Sequence, residues 1–288
     1  METKRIARVF PRRTNMTPTD SLAFTGLPTL EAMAMDIAEV HISVTFTWDW
    51  EKADELYEAW QILGVPVEVG GPAFGDRMGD FTAGMYIKHG GVFTSRGCTK
   101  DCWFCSVPKC AHGVIRELPI QDGYNIMDDN ILGTSENHFR AVIEMLRHQK
   151  EKAVFSGGLE PTFLQRWQAE LLKSINPKTM YTAYDTKDDY DAIRNMADIL
   201  WDVGFSPRGR QVKCYCLCGY EGDTFEEAEK RMNQIVDVGF LPFAMLYRDE
   251  QGNFNREWKS FQREWANSYI VGKKFSERRN NDGNQGNR

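Results

Sequence analysis

From Gly91 to Leu246 strand-like and helix-like stretches alternate, and this repetition limits the possible folds more than any other feature of the chain. Short apolar runs are expected as strands at 91–95, 124–127, 153–156, 180–184, 211–217 and 240–246. Amphipathic stretches at 135–150, 161–174, 188–203 and 224–238 separate most of them. Pro161 is placed for a first helical turn, and Gly204 and Gly239 for helix stops. Strands joined by covering helices run parallel, so the expected fold class is α/β: a partial (β/α)6 TIM-type barrel with a small α/β N-terminal extension.

That extension spans 36–84. His41–Thr47 reads as a strand, Trp48–Leu63 as a helix and Val65–Val69 as a second strand, closing on Gly70, Gly71 and Pro72. Residues 1–35 are expected to be an irregular arm, because Pro11, Pro18, Gly26 and Pro28 interrupt every period. Its basic residues Lys4, Arg5, Arg8, Arg12 and Arg13 read as a solvated cluster. The barrel is expected at 85–250, a helical segment at 251–275, and a disordered polar tail at 276–288.

Composition narrows the function. The net charge of −6 gives no broad basic surface, so there is no strong nucleic-acid signal. No apolar run is long enough to span a bilayer and the N-terminus lacks the apolar h-region of a secretory signal, so a cytoplasmic protein with no membrane partner is expected. The seven Cys gather in two places, at Cys98, Cys102, Cys105 and Cys110 and at Cys214, Cys216 and Cys218, whereas a disulfide framework would spread them through a smaller secreted chain. Clustered thiols in a reducing compartment point to metal.

Cys98, Cys102 and Cys105 follow the first barrel strand at C-x3-C-x2-C spacing, in a loop where such barrels keep their chemistry. Thiolates are soft ligands suited to iron–sulfur clusters, and three of them leave one iron of a cubane open. A structural zinc site built from Cys102, Cys105, Cys110 and His112 is the alternative, but it leaves Cys98 without a purpose.

The spacing, with Phe104 just before the third Cys, resembles the signature of the radical SAM superfamily, and the resemblance covers roughly residues 85 to 250. The barrel is most similar to those of cobalamin-binding and methylthiotransferase-type members. The resemblance implies a [4Fe–4S] cluster on Cys98, Cys102 and Cys105, and S-adenosylmethionine (SAM) chelated at the open iron. It also implies cleavage of SAM to a 5′-deoxyadenosyl radical, fed by a reductant such as a flavodoxin or ferredoxin. The substrate is unidentified, with a small molecule or nucleotide-derived compound favoured. A zinc-stabilised binding protein and a conventional SAM-dependent methyl transferase are the competing readings.

Ser156, Gly157, Gly158 and Glu160 resemble the family's glycine-rich motif for the methionyl end of SAM. Because Leu159 separates the second Gly from Glu160, Ser156 and the two glycine backbones are the better candidates. Gly219, Gly222, Asp223 and Thr224 are similar to the stretch near the adenosine, with Asp223 or Thr224 able to cap the next helix. Asp128, Asp129 and Asn130 end the second barrel strand and Asp185 ends the fourth, positions from which polar side chains either orient a substrate or cap a loop. Cys214, Cys216 and Cys218 alternate along one strand face, as packed small residues or as groups near the radical. Cobalamin is not expected, because the extension is short and lacks an Asp-x-His-x-x-Gly loop; it reads as a reduced remnant of a cobalamin-type domain. His41, His89, His138 and His148 are isolated, the last two on a helix expected to be exposed, and the aromatics of 254–265 are expected to pack on the barrel mouth.

Overall fold

The computed structural model describes residues 5–76, 78–267 and 269–274. Lys4 and the polar tail 276–288 lie outside them. The chain forms two compact units, Met1–Asp129 with Glu250–Gly252, and Asn130–Asp249 with Asn253–Arg288. The division after Asp129 falls inside the stretch expected as one barrel.

In the first unit, β1 (Ile6–Phe10), β2 (Ala23–Thr25), β3 (Glu39–Ser43) and β4 (Val67–Gly70) form a parallel sheet in the order β2-β1-β3-β4. Helix α1 (Leu30–Met33) lies between β2 and β3, and α2 (Trp50–Trp60) between β3 and β4. Ala53, Leu56 and Trp60 of α2 join Ala7, Val9, Val40 and Ile42 in the core, and Gly64, left-handed at φ 68°, ends the short turn after the helix. The irregular arm expected for 1–35 is thus corrected: β1 is a central strand. It escaped because a strand buried on both faces has no polar alternation and because Arg8 breaks the apolar run. Arg8 is only 7% exposed, donates to the carbonyls of Gly84 and Met85 and pairs with Asp20, so its charge is buried with partners.

The same unit continues with β5 (Gly91–Val92), β6 (Ser95–Arg96), α3 (Val107–Ala111), β7 (Arg116–Glu117) and β8 (Asn125–Ile126). Strands β5 and β8 pair in parallel, and β6 and β7 form an antiparallel clasp.

In the second unit α4 (Glu136–Arg147), α5 (Arg166–Ile175), α6 (Tyr190–Asp202) and α7 (Phe225–Asp237) alternate with parallel strands β9 (Val154–Phe155), β10 (Thr179–Ala183), β11 (Val212–Cys218) and β12 (Leu241–Leu246). The expected positions hold within a few residues. Pro161 opens a short 3-10 turn rather than α5 itself, which begins at Arg166 behind a Gln165/Gln168 capping box. Ser135 caps α4 and Thr224 caps α7 through their side-chain oxygens. His138, expected to be exposed, is buried on the inner face of α4. The final helix α8 (Trp258–Ala266) buries Trp258 and Trp265, with Trp258 stacked on Phe225 at 4.3 Å between centroids and lying beside Gly219, at the carboxyl end of β11.

Candidate functional site

The cysteine loop runs from Gly97 to Ile115, and its neck is closed by the β6–β7 ladder, in which Ser95 faces Glu117 and Arg96 faces Arg116. Gly97 has φ 93°, and a Cβ there would lie 2.0 Å from the Val114 carbonyl oxygen, so only glycine lets the two sides of the neck meet. Within the loop Cys98, Cys102 and Cys105 are half-buried thiols. The amide of Lys100 donates to Cys98 Sγ and that of Val107 to Cys105 Sγ, both at 3.4 Å, while Cys105 N–H donates to the Cys102 carbonyl at 2.9 Å in a tight turn. Amide donors aimed at sulfur favour thiolate ligands and tune a cluster bound to them.

Among the described residues no three His, Cys, Asp or Glu side chains converge on one ion. Cys102, Cys105, Cys110 and His112 therefore do not make a formed zinc tetrahedron, which needs ligands meeting at about 2.3 Å from Zn to sulfur. The same holds of Cys98, Cys102 and Cys105, whose thiolates on a cubane would each bind a separate iron. Three accessible thiols on one loop, with amides directed at two of them, fit a [4Fe–4S] cluster. Phe104 is half-buried edge-on to Trp103, at 5.3 Å between centroids.

The strand-end carboxylates hold this loop. Asp128, 1% exposed, accepts from Thr94 N–H and Thr94 Oγ1, each at 2.6 Å, and from Ser95 Oγ at 2.7 Å. Burial raises its pKa, and these hydrogen bonds act against the rise. Asp129 accepts from Gly97 N–H at 2.8 Å. The two carboxylates thus tie the end of β8 to the residues leading into Cys98. Thr94 and Ser95, the hydroxyl partners, carried no sequence signal of their own.

In the second unit Asn130 is fully buried, with its side-chain oxygen 3.4 Å from Glu160 N–H. Glu160 turns its carboxylate onto Thr162, accepting from the hydroxyl at 2.7 Å and capping the 3-10 turn. The turn is pinned to β10 by Leu159 N–H to the Tyr181 carbonyl (2.9 Å) and by Thr182 Oγ1 to the Leu159 carbonyl (2.8 Å). Ser156 is half-buried and Gly157 exposed. Asp185 accepts from Leu217 N–H at 2.8 Å, and desolvation lifts its pKa to about 7.

The room beside Gly219, expected to serve an adenosine, is filled by Trp258: a Cβ would fall 2.8 Å from its Cγ. Asp223 accepts from Gly219 N–H at 2.9 Å and Thr224 caps α7, as expected of that pair.

Cys214, Cys216 and Cys218 are completely buried on one face of β11. Burial pushes the Cys214 thiol well above its ordinary pKa and those of Cys216 and Cys218 up to about 12, with Arg231 of α7 opposing the shift at Cys216. Arg231, 3% exposed, donates to Asp223 at 3.0 Å and to the Leu217 carbonyl at 3.0 Å. These thiols face the helix layer. The opposite face of the same strands carries a half-exposed aromatic row, Tyr215 stacking on Tyr181 at 4.8 Å and meeting Phe243 edge-on at 5.6 Å. The legible clue to Arg231 was a lone cation in the apolar stripe of α7.

No protein-family model matches the sequence, and no curated protein matches it significantly. Among solved structures, TsrM from Kitasatospora setae, a radical S-adenosylmethionine methyltransferase with cobalamin and a [4Fe–4S] cluster bound, superposes with a TM-score of 0.57. The match covers 86% of this chain and 76% of TsrM at 11% identity. The fold is that of a radical SAM protein. Coproporphyrinogen III oxidase (HemN) from Escherichia coli, a radical SAM enzyme, is a more distant match, with a TM-score of 0.39 at 10% identity over 70% of this chain and 51% of its own. Each unit carries the parallel β-α repeats of the α/β class expected from the alternation. No helix of the described residues is long and apolar enough to cross a membrane.

Proposed function

We propose that this chain is a radical SAM enzyme whose Cys98, Cys102 and Cys105 hold a [4Fe–4S] cluster. The observation that carries the reading is the cysteine loop: three accessible thiols at the family spacing, with amide donors on two of them and a neck braced by Asp128 and Asp129. When bound, the cluster supplies the electron that cleaves SAM to a 5′-deoxyadenosyl radical.

In this reading the residues divide by task. Asp128 and Asp129 are positioning residues, since their carboxylates are occupied by Thr94, Ser95 and Gly97. Ser156 and the backbones of Gly157 and Gly158 receive the methionyl end of SAM, and Phe104 shields the cluster edge. Asp185, titrating near neutrality, is the residue suited to exchange a proton with the substrate. The chain draws its electron from a flavodoxin- or ferredoxin-like partner. TsrM is solved with cobalamin. We propose no cobalamin here, because the chain offers no Asp-x-His-x-x-Gly loop.

The deciding experiment is anaerobic reconstitution with iron and sulfide, then dithionite and SAM, with chromatography for 5′-deoxyadenosine. The wild type should form the nucleoside and Cys102→Ala should not. Zinc in place of iron, or S-adenosylhomocysteine as the sole product, would replace this reading with one of its two competitors.

A further inference from the structure

The sheet of the first unit changes direction once. From β1 the chain passes to β2 on one side, then crosses back to β3 and β4 on the other, so the order β2-β1-β3-β4 reverses between β1 and β3. Open parallel sheets bind ligands beyond the carboxyl ends of their strands at such a reversal. Here the residues that follow β1, β3 and β4, among them Arg12, Phe46 and Gly71, line a cavity of about 660 Å³. Gly71, at φ 109°, is needed for that shape, because a Cβ would lie 2.8 Å from the Val44 carbonyl oxygen.

A phosphate has no place in it. The N-terminus of α2 is where a nucleotide phosphate would sit in such a crevice. That position is held by Asp49, 3% exposed and gripped through both carboxylate oxygens by Arg12. The protein thus supplies its own anion and neutralises it.

What remains is aromatic and acidic. Phe46, Phe81, Phe93 and Tyr86 line the walls, and the Arg96 guanidinium lies 3.6 Å over the Phe93 ring, extending that wall. Among the described lining residues Asp49 is committed to Arg12 and Asp80 to Arg116, which leaves Glu68 and Asp76 against the guanidinium of Arg96. His41 Nδ1 and Tyr86 Oη share a hydrogen bond of 2.6 Å, and Glu68 is 3.8 Å from His41 Nε2. Aromatic walls with surplus carboxylate suit a planar ring that carries a basic nitrogen.

We propose that this cavity binds a phosphate-free aromatic amine. Arg96 stands two residues before Cys98, and Met127, also in the wall, precedes Asp128, so the cavity borders the strand ends that carry the cysteine loop. On the radical SAM reading, its occupant is the substrate.

The test is calorimetry and saturation-transfer NMR on the full chain with three probes: phenethylamine, phenylpropionate and adenosine monophosphate. Phenethylamine should bind, and it should bind equally to a Cys98→Ala/Cys102→Ala/Cys105→Ala variant; Glu68→Gln should weaken it several-fold. The Glu68 side chain is 69% exposed, so this change spares the core. Preference for either anionic probe, no binding of the amine, indifference to Glu68→Gln, or loss of binding in the triple variant would each overturn the proposal. Nucleoside formation from SAM is read out separately, so failure here and failure of the radical SAM reading are distinguishable.

Discussion

Two triplets of cysteine occupy this chain in opposite surroundings. Cys98, Cys102 and Cys105 stand half-buried on a loop, two of them facing amide donors, with carboxylates bracing the loop's neck. Cys214, Cys216 and Cys218 are sealed between β11 and α7, where no water can solvate a thiolate and their pKa values rise. The difference teaches that ligand chemistry is decided by the backbone around a thiol. An irregular loop leaves amides free to donate to its sulfurs, whereas a strand spends its amides on its neighbours and buries every second side chain.

The sharpest way to break this contrast is to empty each triplet. Alanine at Cys98, Cys102 or Cys105 should abolish the visible iron–sulfur absorbance and nucleoside formation, while Cys214→Ala with Cys218→Ala should retain both. The reverse result would move the cluster to β11.

Next in size is the support under the buried triplet. Arg231→Met leaves Asp223 and the Leu217 carbonyl without their cation, and breaking a buried pair of this kind costs about 3–5 kcal/mol, measurable by urea denaturation of the cluster-free chain. The matching change at the loop is Asp128→Ala. It strands the Thr94 amide and two hydroxyls, should cost about 3 kcal/mol, and should lower iron content per chain, whereas Asp128→Asn should recover part of both.

Asp185 gives a smaller, pH-dependent effect. Its folded pKa of about 7 lies above the ordinary 3.8, so the folded chain holds this proton more tightly than the unfolded one. The stability it contributes is complete below about pH 4, falls as pH rises toward 7 and is level beyond that. Asp185→Asn, which keeps an acceptor for Leu217 N–H, should therefore gain about 2 kcal/mol on the wild type between pH 5 and pH 8. A constant difference across that range would remove Asp185 as the proton-exchanging group.

The smallest effect is kinetic. At pH 8 iodoacetamide should label the loop thiols of the cluster-free chain quickly and the β11 thiols only after denaturation, as peptide mass mapping would show.

Much of the barrel was legible because its strands and helices announce themselves locally. The helix from Glu136 and the one from Phe225 begin where Ser135 and Thr224 stand as caps, and the strands fall near their expected positions. The N-terminal sheet was half legible: β3 and β4 showed as apolar runs, whereas β1, with Arg8 in its middle, reads as polar until Asp20 and two carbonyls satisfy the guanidinium. Gly219 was singled out as leaving room for an adenosine, and the sequence does not say that Trp258 stands beside it.

The sequence alone determined the parallel α/β class and the three-cysteine loop, since period, spacing and residue type are local properties. Only the tertiary structure decided which carboxylates support that loop, which face of β11 the other three thiols occupy, and that the segments following β1 and β3 line a cavity. Each of those depends on residues far apart in the chain meeting in space, and burial rather than spacing sets what their polar groups can do.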